Sequence, residues 1–245
     1  MERLDKVISA TGKKSRREVK EMVRQGRILV NGKIAAAADM KIDPQQEEII
    51  LDGEPLNYEK FTYVMLHKPA GVLSAVEDRK QKTVLDLLPE ELQKRGLSPV
   101  GRLDKDTEGL LLLTNDGELT HKLLSPKYHV DKVYYARVDG CLEPPDIEAF
   151  AAGMVLAAGL ECLPAGLEIL SANEALVTLH EGKFHQVKRM LAACGKPVEY
   201  LKRLQMGPLY LDENLPRGSY RTLRADEVEA LREAATIDRM TKNRQ

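Results

Sequence analysis

At 245 residues, 43% hydrophobic and 31% charged, the chain has the make-up of a globular protein with room for one ordinary domain and a small appendage, and it is unlike disordered or membrane chains. Its formal net charge of −1 conceals an asymmetry, since residues 1–34 hold ten Lys/Arg against four Asp/Glu and the remainder holds 27 against 34. A compact basic end on an otherwise acidic chain suits phosphate binding, because Lys and Arg contacts gain affinity by releasing condensed counterions; a solvated basic helix would give the same counts.

The N-terminus, Met1-Glu2-Arg3-Leu4-Asp5-Lys6, mixes both charge signs where an export signal would need an apolar run, so a cytoplasmic protein is expected. Leu4, Val7 and Ile8 have helical spacing, and Thr11-Gly12 supplies a residue for the left-handed cap. Ser15-Arg16-Arg17-Glu18 is a capping box opening a second helix, with Val19, Met22 and Val23 as its buried stripe. Arg16, Arg17, Lys20, Arg24 and Arg27 are left for its outer surfaces. Ile28 to Ile34 then reads as a hairpin around Asn31-Gly32, a pair suited to positive φ.

The polar stretch Gly53 to Lys60 marks a junction. Beyond it, apolar runs at Tyr63–Leu66, Leu110–Leu113, Tyr134–Val138 and Leu176–Leu179 alternate with helical segments, predicting an α+β fold with a mixed sheet. The expected organisation is residues 1–58 as a small helix-helix-hairpin domain, 59–62 as linker, 63–235 as the main domain and 236–245 as a frayed tail. The longest uncharged stretch, Ala149 to Leu160, falls short of the roughly 20 apolar residues a membrane span needs and reads as core. Cys141, Cys162 and Cys194 are odd in number and isolated, and the five histidines lack ligand spacing, so neither a disulfide framework nor a metal site is expected.

The most informative segment runs from Gly101-Arg102-Leu103-Asp104-Lys105-Asp106-Thr107 into Glu108-Gly109-Leu110-Leu111-Leu112-Leu113-Thr114-Asn115-Asp116-Gly117. A charged loop precedes a buried strand, and Asp116 can cap a helix carrying Leu119, Leu123 and Leu124. By spacing alone, Asp104 and Asp106 suit a solvated turn as well as a catalytic pair. Taken as a string, however, the segment resembles the central motif of bacterial ribosomal RNA pseudouridine synthases. Leu66-His67-Lys68-Pro69-Ala70-Gly71 resembles their first motif, with His67 where asparagine is common, and Lys132-Val133-Tyr134 resembles their Lys-x-Tyr element. Glu181-Gly182-Lys183-Phe184-His185-Gln186-Val187-Lys188-Arg189-Met190 resembles their last motif, in the wording typical of the branch acting on 16S rRNA. Residues 1 to about 50 resemble the RNA-binding domain of a small-subunit ribosomal protein and of bacterial tyrosyl-tRNA synthetases.

The resemblance implies a mainly antiparallel catalytic sheet and roles for individual residues. Asp104 is the implied covalent catalyst, attacking the ribose or C6 of the base or else stabilising charge there. Lys188 would keep it ionised and oriented, with Arg189 the fallback, and Tyr134 would stack on the extruded base and assist proton removal at C5. Arg102 would occupy the gap left in the RNA, or hold the flipped phosphate. Lys183, His185, Gln186 and Arg189 are expected to bind RNA, as are Ser15, Arg16, Arg17, Lys20, Arg24 and Arg27 in the N-terminal domain. Isomerisation demands neither cofactor nor metal. The implied partner is 16S rRNA or an assembling 30S particle, with 23S rRNA the alternative, and the chain is taken as a monomer. Two rival readings remain from the residues alone: a non-catalytic ribosome-assembly protein, and a hydrolase pairing Asp104 with Asp106.

Overall fold

Local chemistry sets the first elements. Ser15 accepts a hydrogen bond from the Glu18 backbone N–H while the Glu18 carboxylate accepts from the Ser15 N–H, so both free donors at the start of the Arg16–Arg24 helix are satisfied. The preceding helix, Leu4–Ala10, stops at Thr11 and Gly12, the latter at φ +79°. Its Leu4, Val7 and Ile8 are fully buried and join Val19, Met22, Ile28, Val30, Ile42, Ile49 and Leu51 in one core. Asn31 and Gly32 both take positive φ, closing the hairpin between Ile28–Val30 and Lys33–Ile34.

In the computed structural model, which describes residues 1–236, this core belongs to a unit made of Met1–Thr62 and Leu88–Leu97. Two expectations change here. The stretch from Gly53 read as a junction begins as a hairpin: Asp52 and Gly53 turn the chain, Glu54–Pro55 pairs with Ile50 and Leu51, and Leu56 and Tyr58 pack on the core. Residues 88–97, expected to belong with 63–235, return to the N-terminal unit, where Arg95 donates to the Thr11 carbonyl at 3.0 Å and to the Thr62 hydroxyl at 2.6 Å. Such a return has no local signature, because its cause is a partner 84 positions away in the chain. The expected tail lies, from residue 237 on, outside the described residues.

The second unit is built on a sheet whose main path runs Gly166–Ser171, Glu174–Leu179, Lys132–Val138, Val198–Met206, Glu108–Thr114, Tyr63–Lys68 and Tyr220–Thr222. Every pairing on that path is antiparallel except that of Val198–Met206 with Glu108–Thr114. Tyr63–Lys68 and Glu108–Thr114 are buried along their whole length, as their unbroken apolar runs require. Gly109, at φ +107°, sits against the Arg203 backbone; a Cβ there would collide with it, so the parallel pairing depends on glycine. The run Ala149–Leu160 is not the core segment it was read as: it spans a helix end, a short strand and a turn, with only Phe150 and Leu156 buried and Val155 74% exposed. Small uncharged residues record an absence of charge there, not burial. Among the described residues no helix is long and apolar enough to cross a membrane.

Candidate active site

The loop Gly101–Thr107 is held from beneath before any side chain on it does chemistry. The Lys68 ammonium, at the end of a fully buried side chain, donates to the carbonyls of Pro69, Asp104, Lys105 and Thr107 at 2.8–3.2 Å. Ser74 donates to the Leu103 carbonyl and accepts from the Leu103 N–H, and the Gly71 N–H bonds the Lys105 carbonyl at 2.7 Å. One cation and one hydroxyl thus help define the backbone course of the loop, whose partly buried carbonyls they bond. Burial pushes the Lys68 ammonium down to about 8, against the pull of Asp106, Asp104 and Glu108.

Four functional groups converge above that anchor. Lys188, on the helix Gln186–Ala193, places Nζ 3.1 Å from Asp104 Oδ2 and 2.6 Å from Asp106 Oδ1. His185 Nε2 lies 3.4 Å from Asp104 Oδ1. The Asp104 carboxyl is 25% exposed while that of Asp106 is 74% exposed, so the first is the one held within a partly desolvated site. Burial opposes the charge on Lys188, but its hydrogen bonds to Asp106 and Asp104 outweigh that and raise its pKa. The hydrogen bond from Lys188 holds Asp106 below the usual carboxylate value.

That coupling has a testable sign. A depressed carboxylate stabilises the fold fully above its unfolded value of about 3.9, and the contribution fades as pH falls through the lower folded value. Lys188→Met is therefore expected to flatten the acid limb of a plot of urea midpoint against pH between about 2 and 6. An unchanged limb would mean that the ammonium does not hold Asp106 in solution.

Arg102, Leu103, Asp104, Thr107, Tyr134, Leu179, Leu201 and residues 182–188 other than Phe184 line an open cleft. Tyr134 faces it from the strand Lys132–Val138, where alternation buries every second residue. Arg102 is exposed at its edge. Thr107, 1% exposed, keeps its hydroxyl buried without a hydrogen-bond partner.

The structure distributes the expected site residues unevenly. Asp104, Lys188, Tyr134, Arg102, Lys183, His185 and Gln186 share one cleft. Gln186 is 3% exposed and braces the turn, accepting from the Lys183 N–H and donating to Glu181 at 2.8 Å. Lys183 also donates to the Glu161 carbonyl and pairs with Glu181, while Arg189 donates to the Ala157 carbonyl at 2.6 Å. In the N-terminal unit, Arg16, Arg17, Lys20 and Arg24 are exposed on their helix. The Ser15 hydroxyl is committed to its cap, and Arg27 forms two hydrogen bonds with Asp52 at 2.6 and 2.7 Å. Lys68, Ser74 and Thr107 were not singled out from the sequence; Lys68 and Thr107 stood inside quoted motifs, and an isolated lysine in an otherwise apolar strand was the available signal.

Residues 62–193 match the RNA pseudouridylate synthase family, and residues 2–47 match the S4 domain family. A Bacillus subtilis protein described as uncharacterized RNA pseudouridine synthase YtzG is 46% identical over 235 residues, covering 94% of this chain and 98% of that protein. The ribosomal small subunit pseudouridine synthase A of Vibrio parahaemolyticus is 38% identical over 232 residues, 94% of this chain and 99% of its own length. The ribosomal large subunit pseudouridine synthase B of Bacillus subtilis is 39% identical over 241 residues, 96% and 97% respectively.

Proposed function

For a chain that belongs to the RNA pseudouridylate synthase family, we propose that the substrate is one uridine of 16S rRNA and that Asp104 is the covalent catalyst. The chain is an rRNA pseudouridine synthase, an isomerase. The reaction breaks the bond from C1′ to N1, turns the base and joins C1′ to C5, while C5 loses a proton and N1 gains one. Electrons and atoms balance within the nucleotide, so the chemistry asks the protein for an ionised carboxylate, a cavity for the base and a proton acceptor near C5.

The observation that carries this reading is the pairing of Asp104 with the Lys188 ammonium at 3.1 Å in a cleft faced by Tyr134. The ammonium holds and aims the carboxylate once a bound base has excluded water. Attack at the ribose and attack at C6 both begin from that anion. Tyr134 stacks on the extruded uracil and assists proton removal at C5, and Arg102 fills the space that the uridine leaves, offsetting an unstacking cost of a few kcal/mol. Lys183, His185 and Arg189 reach the RNA around the cleft, and Gln186 acts on it through the turn it braces.

The helix carrying Arg16, Arg17, Lys20 and Arg24 supplies sequence-independent phosphate contacts. Replacing Lys20 and Arg24 with Glu is expected to weaken rRNA binding at every sequence and to lower the salt slope by roughly one per lost phosphate contact. Filter binding across a salt series measures it, and an unchanged slope would remove this helix from the interface. The protein acts as a monomer in the cytoplasm.

Relatives named for the small and the large subunit stand at nearly equal identity, so identity does not choose between the rRNAs. The wording His185-Gln186-Val187-Lys188-Arg189-Met190 favours 16S rRNA. The test is to map pseudouridines in rRNA from a strain lacking the gene, then restore the missing one with purified protein on 16S rRNA or a partly assembled 30S particle. Loss of a 23S site instead would reassign the substrate. Release of free uracil would convert the assignment to hydrolysis, and binding without any base change would leave an assembly protein.

A further inference from the structure

We propose that Phe184 is a stacking platform for a nucleobase next to the uridine that enters the cleft, an inference that rests on the rRNA substrate of the preceding section. Phe184 is 69% exposed in a chain with three phenylalanines. Its ring lies parallel to that of His185, with centroids 3.8 Å apart and planes inclined by 19°. His185 covers one face of the phenyl ring, and the exposure leaves the other to an incoming partner.

The backbone holds this pair in place. His185 is in the left-handed region, at φ 50° and ψ 34°, which a residue with a Cβ adopts only where its surroundings impose it. Those surroundings include the buried Gln186, whose side chain ties Lys183 and Glu181 together on either side of Gly182. The strained turn keeps an apolar ring in solvent instead of in the core, contrary to what hydrophobic burial favours.

A base fits this site better than an apolar patch of a protein does. His185, Lys183 and Lys188 line the cleft beside the ring, and Arg102 lies at the cleft edge, so a polyanion is drawn in while its bases offer flat π faces. With His185 Nε2 at 3.4 Å from Asp104, a base on Phe184 extends a continuous row of base, phenyl, imidazole and carboxylate.

The chain has no tryptophan, so Phe184→Trp introduces a single indole that can be excited selectively over the tyrosines. Titrated with in-vitro-transcribed 16S or 23S rRNA, with binding followed in parallel by filter retention, its emission is expected to fall by about half or more and to become shielded from acrylamide. Unchanged emission at saturating RNA overturns the proposal, as it would if a protein and not a base covers the ring. Phe184→Ala should raise KM for rRNA about 5- to 150-fold with kcat within about threefold and the melting temperature unchanged, while Phe184→Tyr and Phe184→Trp restore KM. An unaltered KM in Phe184→Ala, or equal damage in Phe184→Trp, also overturns it. If wild-type protein isomerises rRNA but the tryptophan is silent, stacking alone fails; if wild-type protein modifies no rRNA, the substrate assignment fails with it.

Discussion

Asp104→Asn is expected to lower single-turnover conversion of uridine by at least about 10⁴-fold, the scale on which removing a catalytic nucleophile acts, while rRNA binding stays within about threefold of wild type. The amide has nearly the shape of the carboxylate, and the loop is held through backbone carbonyls that the substitution leaves alone. Lys188 keeps Asp106 as a partner, so its ammonium is not stranded. The split between chemistry and binding is therefore the informative result. A parallel loss of binding would show that the variant had lost the loop, and undiminished modification would remove the covalent mechanism. Asp106→Asn supplies the comparison: its carboxyl is 74% exposed and it should cost far less, on the order of 10-fold, whereas a hydrolase pairing the two carboxylates would be disabled by either change.

Lys68→Met should be the most destabilising single change at the site, by about 3–5 kcal/mol in urea unfolding, because it deprives four carbonyls of a charged donor in a buried place. Activity should fall with it, since the loop carrying Asp104 would lose its anchor. The pH dependence separates local from global effects. With its folded value pushed to about 8, below an unfolded value near 10.4, Lys68 releases its proton first in the folded chain. By linkage this group makes stability rise, not fall, between those values. The neutral amine nevertheless retains two N–H donors where the ammonium had three, so kcat should decline through about pH 8 while the urea midpoint does not. Lys132, also pushed to about 8 by burial, donates to the Val130 carbonyl and not to the loop. Lys132→Met should accordingly leave the alkaline limb in place, and its disappearance in that variant would reassign the titration.

Much of the molecule was legible from local pattern. Ser15 and Glu18, Asn31 and Gly32, and the four leucines before Asn115 each act within a few residues, so their outcome is decided by bonds and turns that a short peptide already specifies. The motif strings likewise contain Asp104, Tyr134 and Lys188, and all three line one cleft.

What the chain alone determined, then, is the elements set by local caps, turns and apolar runs, the basic charge of the N-terminal segment, and the chemical groups available for the reaction. Only the tertiary structure decided how those groups are spent: Lys68 goes to loop carbonyls, Lys188 is shared by two carboxylates, Gln186 is a buried brace, Arg27 is held by Asp52 and residues 88–97 return to the first unit. The physical reason is distance along the chain. Lys188 and Asp106 are 82 residues apart, and Lys68 and Thr107 are 39 apart. Periodicity reports which face of an element is apolar, and strand pairing across the sheet then determines which remote charge each buried polar group meets.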